Sequence, residues 1–215
     1  MSENTMTLFK LLSALFEYPD EPLVHALPEL MVLIGEDPSI AANEREALGA
    51  FAGWLADTEL TEVQARYVKT FDMTPEHALH LTHHLFGDDR NRGPALIDLG
   101  EYYKSYGLEP GTNELPDYLP VVLEFASMLE PVEAKVFLDP FAKVIAQLGA
   151  NLGAAESPWA PLVHLIEAYS RLVPTTYVPA AQPITDSVCH DHECETPVTW
   201  GAATPPAVRP MAAAG

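Results

Sequence analysis

YVKTFDMTPEHALHLTHHLFGDDRNRGPALIDLGEYYKSYGLEPGTNELPDYLPVVLEF, residues 67–125, is the stretch that decides the fold class. Leu96, Leu99, Tyr103 and Tyr106 recur at helical spacing and share one face, and Gly107 stands where a left-handed C′ residue closes a helix. After a loop from Leu108 to Leu115, Pro116 or Asp117 opens a second helix with Leu119, Val122, Leu123 and Ala126 facing inward. Pro120 is compatible with that helix because a proline in the first turn removes no intrahelical bond. Upstream of both, Ala78 to Phe86 reads as a short helix stopped by Gly87, and Asp88 to Gly93 as a charged turn.

The same periodicity extends in both directions. Toward the N-terminus, Leu8, Leu11, Leu12 and Leu15 mark a first helix closed by Pro19 and Asp20. A second starts near Glu21 with Leu23, Leu27, Leu30, Met31 and Ile34 on one side, and Pro28 is expected to bend or break it. After a loop from Gly35 to Ser39, Leu48, Phe51, Ala52 and Leu55 define a third helix, weakly interrupted by Gly49 and Gly53. Leu60, Val63, Tyr67 and Phe71 define a fourth from about Glu59 to Phe71, with Asp57 or Thr58 placed to cap it.

Toward the C-terminus, Glu130-Pro131 starts a shorter segment, and Phe141, Val144, Ile145 and Leu148 mark another helix. Ser157-Pro158 then leads into a last one bearing Leu162, Leu165, Ile166, Tyr169 and Val173. No segment alternates with period 2. The expectation is an all-α, bundle-like single domain of about eight to ten helices over residues 1–173. Residues 174–215 hold seven of the twenty prolines and no helical face, which predicts an extended or disordered tail.

Thirty-one acids against eleven bases give a formal net charge of −20, the wrong field for nucleic acid and an attractive one for a basic peptide. Hydrophobic residues at 48% suit a folded chain, yet no apolar run approaches the roughly 20 residues that span a bilayer. Met1 to Thr7 lacks the basic start and apolar core of a secretory signal, so the expected location is the cytoplasm, without membrane insertion. No phosphate loop or nucleophile and base arrangement appears, which argues against an enzyme. Two metal readings can be formed: His77, His80 and His84 with neighbouring His83, or Cys189, His190, His192 and Cys194 in the tail. Packing histidines and adventitious ligands account for both, and no resident metal is assigned.

The opening FKLLSALFEYPD (Phe9 to Asp20), YVKTFD (Tyr67 to Asp72), His77 to Leu79, the residues His84, Gly87, Arg90, Arg92 and Gly93, and ELPDYLP (Glu114 to Pro120) form an ordered set. It resembles the nitrate reductase molybdenum cofactor assembly chaperones, also called the delta subunit, chiefly over residues 8–130. Tyr118 stands where such proteins often carry His, and His83 and Phe86 replace an acidic residue and a His. The resemblance implies an all-helical cytoplasmic chaperone that binds the N-terminal, twin-arginine-like peptide of the catalytic alpha subunit. It further implies that the chaperone assists insertion of the molybdenum guanine dinucleotide cofactor without keeping any cofactor itself. Chaperones of dimethyl sulfoxide or trimethylamine oxide reductases are the alternative, and a metal-dependent enzyme is a third reading.

Between Glu101 and Glu130 stand six acids and, as a base, only Lys104, which suits a groove for arginines. Glu114 and Asp117, which flank Pro116, are the expected recipients of the peptide's charge. Acids near a helix start also complement its dipole, which is the plainer account of both. Tyr102, Tyr106, Tyr118 and Val122 are the expected apolar lining.

Overall fold

A computed structural model describes residues 2–87, 89–108 and 114–170. Among the described residues ten α-helices follow in chain order: α1 (Ser2–Phe16), α2 (Glu21–Glu36), α3 (Ala42–Asp57), α4 (Leu60–Tyr67), α5 (Leu81–Phe86), α6 (Arg92–Ser105), α7 (Leu119–Ala126), α8 (Pro131–Leu138), α9 (Ala142–Ala154) and α10 (Ala160–Ser170). The architecture is all-α. Among the described residues, sheet-like pairing is confined to one isolated antiparallel bridge between His80 and Tyr118. The tail from residue 174, with Cys189, His190, His192 and Cys194, lies outside the described residues, as does Val173.

The periodic leucines meet as the spacing requires. Leu8, Leu12 and Leu15 of α1 join Leu119, Val122 and Leu123 of α7 in one continuous apolar cluster that reaches Ile166 of α10. α1 and α7 pack along each other, α2 on α3, and α9 on α10. The hydroxyl of Ser13 donates to the Pro120 carbonyl at 2.8 Å inside the first of these contacts. Beside it, Phe51, Trp54, Tyr67, Phe71 and Trp159 form an aromatic nest with centroids 4.8–5.8 Å apart. Truncating a buried aromatic of this kind costs about 3–5 kcal/mol, so the nest ties α3 and the end of α4 to Trp159, the residue before α10.

Several expectations change. α2 runs unbroken through Pro28, which lies on its exposed face, where water can replace the lost hydrogen bond. Neither Asp57 nor Thr58 caps α4: Asp57 ends α3, the Thr58 hydroxyl donates back to the Trp54 carbonyl at 2.6 Å, and Glu59 is the cap residue without a side-chain bond. α4 ends at Tyr67 and widens into a π turn over Val68–Asp72 instead of running on as one α-helix. The expected Ala78–Phe86 helix is shortened to α5 at Leu81–Phe86, preceded by an extended link and a 3₁₀ turn at Pro75–His77. Pro116 and Asp117 precede α7, which starts at Leu119.

Candidate functional site

The link before α5 and the turn before α7 are held side by side. Leu119 N–H donates to the Leu79 carbonyl at 2.9 Å, and Leu81 N–H donates to the Asp117 carbonyl at 3.0 Å. Pro116 and Asp117 form the middle of a turn closed by Tyr118 N–H to the Leu115 carbonyl at 3.1 Å, with proline in its favoured place. The hydroxyl of Tyr103 donates to the Pro116 carbonyl at 2.8 Å, so α6 supports the same turn.

This frame buries Asp117 completely, with 0% exposure. Its Oδ2 accepts from Thr82 N–H at 3.0 Å and from the Thr82 hydroxyl at 2.5 Å, while His80 Nδ1 lies 3.3 Å from Oδ1. Arg92 donates from Nε to the Thr82 hydroxyl at 3.1 Å and stands 3.8 Å from the carboxylate. Asp117 therefore caps α5, a helix distant in sequence, rather than the helix that follows it. Burial works to raise its pKa, but the hydrogen bonds from His80 and Thr82 prevail and hold it below the usual value. All of its acceptor capacity faces the protein's own groups.

The other motif residues serve the same frame. His84 Nε2 bonds the Ala78 carbonyl at 2.8 Å, and Gly87 closes α5 at φ 54°, a left-handed value that suits glycine. Arg92 and Gly93 open α6, and Arg90 is exposed in the turn before it. The histidines do not share a helical face: His77 bonds the Thr70 carbonyl at 3.2 Å, and His80 and His84 bond as above. No group of three potential metal ligands exists among the described residues.

A second, more open arrangement lies where the first motif meets this frame. Tyr67 donates its hydroxyl to the Phe16 carbonyl at 2.9 Å and lies 3.0 Å from the Tyr118 hydroxyl, which is then the donor to Tyr67. Tyr18 packs edge-on against Tyr67 with centroids 5.5 Å apart, and Gln64 donates to the Pro19 carbonyl at 2.9 Å. These contacts hold the Glu17-Tyr18-Pro19-Asp20 turn close to Tyr118. Half-burial, reinforced by the charges of Glu114, Glu124 and Asp20, raises the Glu17 carboxyl to about 7. Burial, with Glu17, Glu114 and Asp72 adding negative field, pushes the Tyr118 hydroxyl up to about 12. Of these acids, Glu124 has the Lys10 ammonium at 2.7 Å and Asp20 caps α2 through Leu23 N–H at 2.9 Å. Tyr18 and Leu115, 46% and 42% exposed, offer apolar surface at its edge.

The structure thus sorts the residues expected at a peptide groove. Glu114 and Tyr118 belong to the open acidic arrangement. Val122 is at 0% exposure in the core and offers a peptide no surface. Tyr102 and Tyr106 are half-buried in another aromatic group with Phe125 and Phe137, Tyr102 lying flat on Phe137 at 5.8 Å. Glu17, Tyr18 and Asp20 were legible only as part of a motif; the usable signal was a pair of acids flanking an aromatic and a proline directly after an apolar helix.

Comparison with known proteins adds the relationship. The family profile described as nitrate reductase delta subunit matches residues 37–164. The nitrate reductase molybdenum cofactor assembly chaperone NarJ of Escherichia coli K12 is 35% identical over 156 residues, 73% of this chain and 66% of that protein. This chain therefore spans just under two thirds of that relative. A protein assigned as the corresponding NarJ chaperone of Bacillus subtilis 168 is 33% identical over 74% of this chain and 86% of its own length. Among solved structures, a chain from Archaeoglobus fulgidus described as a redox enzyme maturation protein superposes with a TM-score of 0.54. It covers 77% of this chain and 92% of its own at 22% identity, a likeness of fold.

Proposed function

This chain belongs to the nitrate reductase delta subunit family, and from that premise we propose that it is a system-specific assembly chaperone for nitrate reductase. In this reading it binds the N-terminal region of the catalytic alpha subunit in the cytoplasm. It keeps that subunit competent to receive the molybdenum guanine dinucleotide cofactor, and it performs no chemistry itself. The relatives named as assembly chaperones support the client class.

The observation that carries the peptide site is the half-buried Glu17 carboxyl beside Glu114, Glu124 and Asp20, raised first by burial and further by those charges. A guanidinium placed between Glu17 and Glu114 would relieve that repulsion and could engage both carboxylates. Charge-assisted hydrogen bonds contribute roughly 1.5–3 kcal/mol each, whereas micromolar binding needs about 8 kcal/mol. Apolar burial must supply the remainder, and Tyr18, Leu115 and Tyr118 are the surfaces placed for it.

The test is capture of the alpha subunit, with and without its first few dozen residues, by the full-length chain. Retention of the intact subunit and loss of the shortened one is expected. Equal retention of both would put the recognised surface elsewhere on the client.

A further inference from the structure

A groove of about 540 Å³ separates the end of α4 from the Ala155–Pro158 loop between α9 and α10. Its volume lies within the roughly 300–1,000 Å³ usual for small-molecule sites. Both banks carry uncommon backbone. On one side is the Val68–Asp72 π turn, whose displaced carbonyls are secured by side chains: Thr74 donates to Lys69 O at 2.9 Å and His77 Nδ1 to Thr70 O at 3.2 Å. On the other, Glu156 holds φ 50°, a left-handed value rare for residues other than glycine. π turns and such residues gather at binding sites because they cost energy that ordinary packing does not demand.

The charge on this groove is equally uncommon for the chain. Lys69 has no carboxylate within ion-pair distance among the described residues, although the sequence holds thirty-one acids. Arg66, which lines the same groove, has one ion-pair partner, Glu62 at 3.4 Å, with both side chains largely in water. Thr70 on one bank and Ser157 on the other also line the groove. Glu62 and Glu156 also line it and are exposed, so an entering ligand must compete with Glu62 for Arg66. A phosphate dianion, with higher charge and three acceptor oxygens, can do so where a carboxylate would only exchange like for like.

We propose that this groove is a second site, separate from the acidic peptide surface, which binds the phosphate of a small phosphorylated molecule. Lys69 and Arg66 form its cationic clamp, and Thr70 and Ser157 supply neutral donors.

Calorimetric titration of the full-length chain with inorganic diphosphate and with ribose 5-phosphate tests this. Saturable one-to-one binding of at least one is expected, weakened about tenfold or more by Lys69→Gln and by Arg66→Gln and unchanged by Lys143→Gln on the exposed face of α9. Preference for ribose 5-phosphate would identify a phosphate ester as the ligand class, and preference for diphosphate a free inorganic anion. Circular dichroism of each variant establishes that folding is intact. No saturable binding of either probe, clamp variants that bind like wild type, or an equal loss in Lys143→Gln would overturn the proposal.

Discussion

Glu17 bears on the Tyr118 hydroxyl and Asp117 precedes Tyr118 in the chain, yet the surroundings of these two carboxylates place them at opposite extremes. Asp117 is buried and accepts from Thr82 and His80 with Arg92 nearby, so its charge is stabilised inside the protein. Glu17 is half-buried with Glu114, Glu124 and Asp20 as its electrostatic neighbours, so its charge is opposed. The contrast teaches that acid-rich composition does not by itself mark a cation site. A carboxylate is available to a partner only where the fold leaves it without internal donors.

The largest effect that could break this contrast is on stability. Asp117→Ala strips α5 of its cap and leaves Thr82 N–H, a buried donor, without a partner, at an expected cost of about 3 kcal/mol. For a chain of this size that corresponds to a fall in Tm of about 10 °C, read by thermal unfolding, with peptide affinity of the folded protein nearly unchanged. A variant that unfolds like wild type but loses the peptide would return Asp117 to the binding surface. The paired substitution Glu17→Gln with Glu114→Gln is expected to do the reverse. Affinity for the alpha-subunit peptide falls roughly ten- to a hundredfold, and stability holds or rises slightly because repulsion is removed. Calorimetry at two salt concentrations reads it, and wild-type salt dependence in the double variant would show that these acids are not the contact.

Much of the fold was legible because it is written in short-range patterns. The Leu8 to Leu15 spacing, the Leu99 and Tyr103 face, and the glycine stops at Gly87 and Gly107, both found at positive φ, are decided within one or two helical turns. Pro28 misled because its cost depends on which face meets water, a tertiary property. The π turn was invisible for a related reason: the groups that secure it, Thr74 and His77, look like ordinary loop residues in sequence. The site was half legible. ELPDYLP marks the right turn, but the partner that makes Asp117 internal lies 35 residues away at Thr82, and the residue that makes the surface acidic lies on α1's exit turn.

Titration offers the finest separation of the two carboxylates, because their shifts have opposite signs. The native Glu17 carboxyl holds its proton to about pH 7 instead of releasing it near 4.5. The folded state therefore binds more protons than the unfolded one in that window, and stability declines as pH rises through it. Asp117 is lowered from its ordinary value near 3.8, so its contribution is present above that pH and is lost as pH falls through its native pKa. Glu17→Gln should accordingly flatten the decline between pH 4.5 and 7 while leaving the acid limb intact. Because Glu17 is only half-buried, solvent screening limits the gain at pH 7.5 to on the order of 1 kcal/mol. Urea midpoints of wild type and Glu17→Gln at pH 5 and pH 7.5 decide the matter. Parallel behaviour of the two proteins would mean that Glu17 is not opposed by its neighbours, and the acidic surface would lose the feature that distinguishes it from Asp117. If the contrast holds, saturating peptide should flatten the wild-type profile as the substitution does, since a bound cation supplies the compensation that the fold withholds.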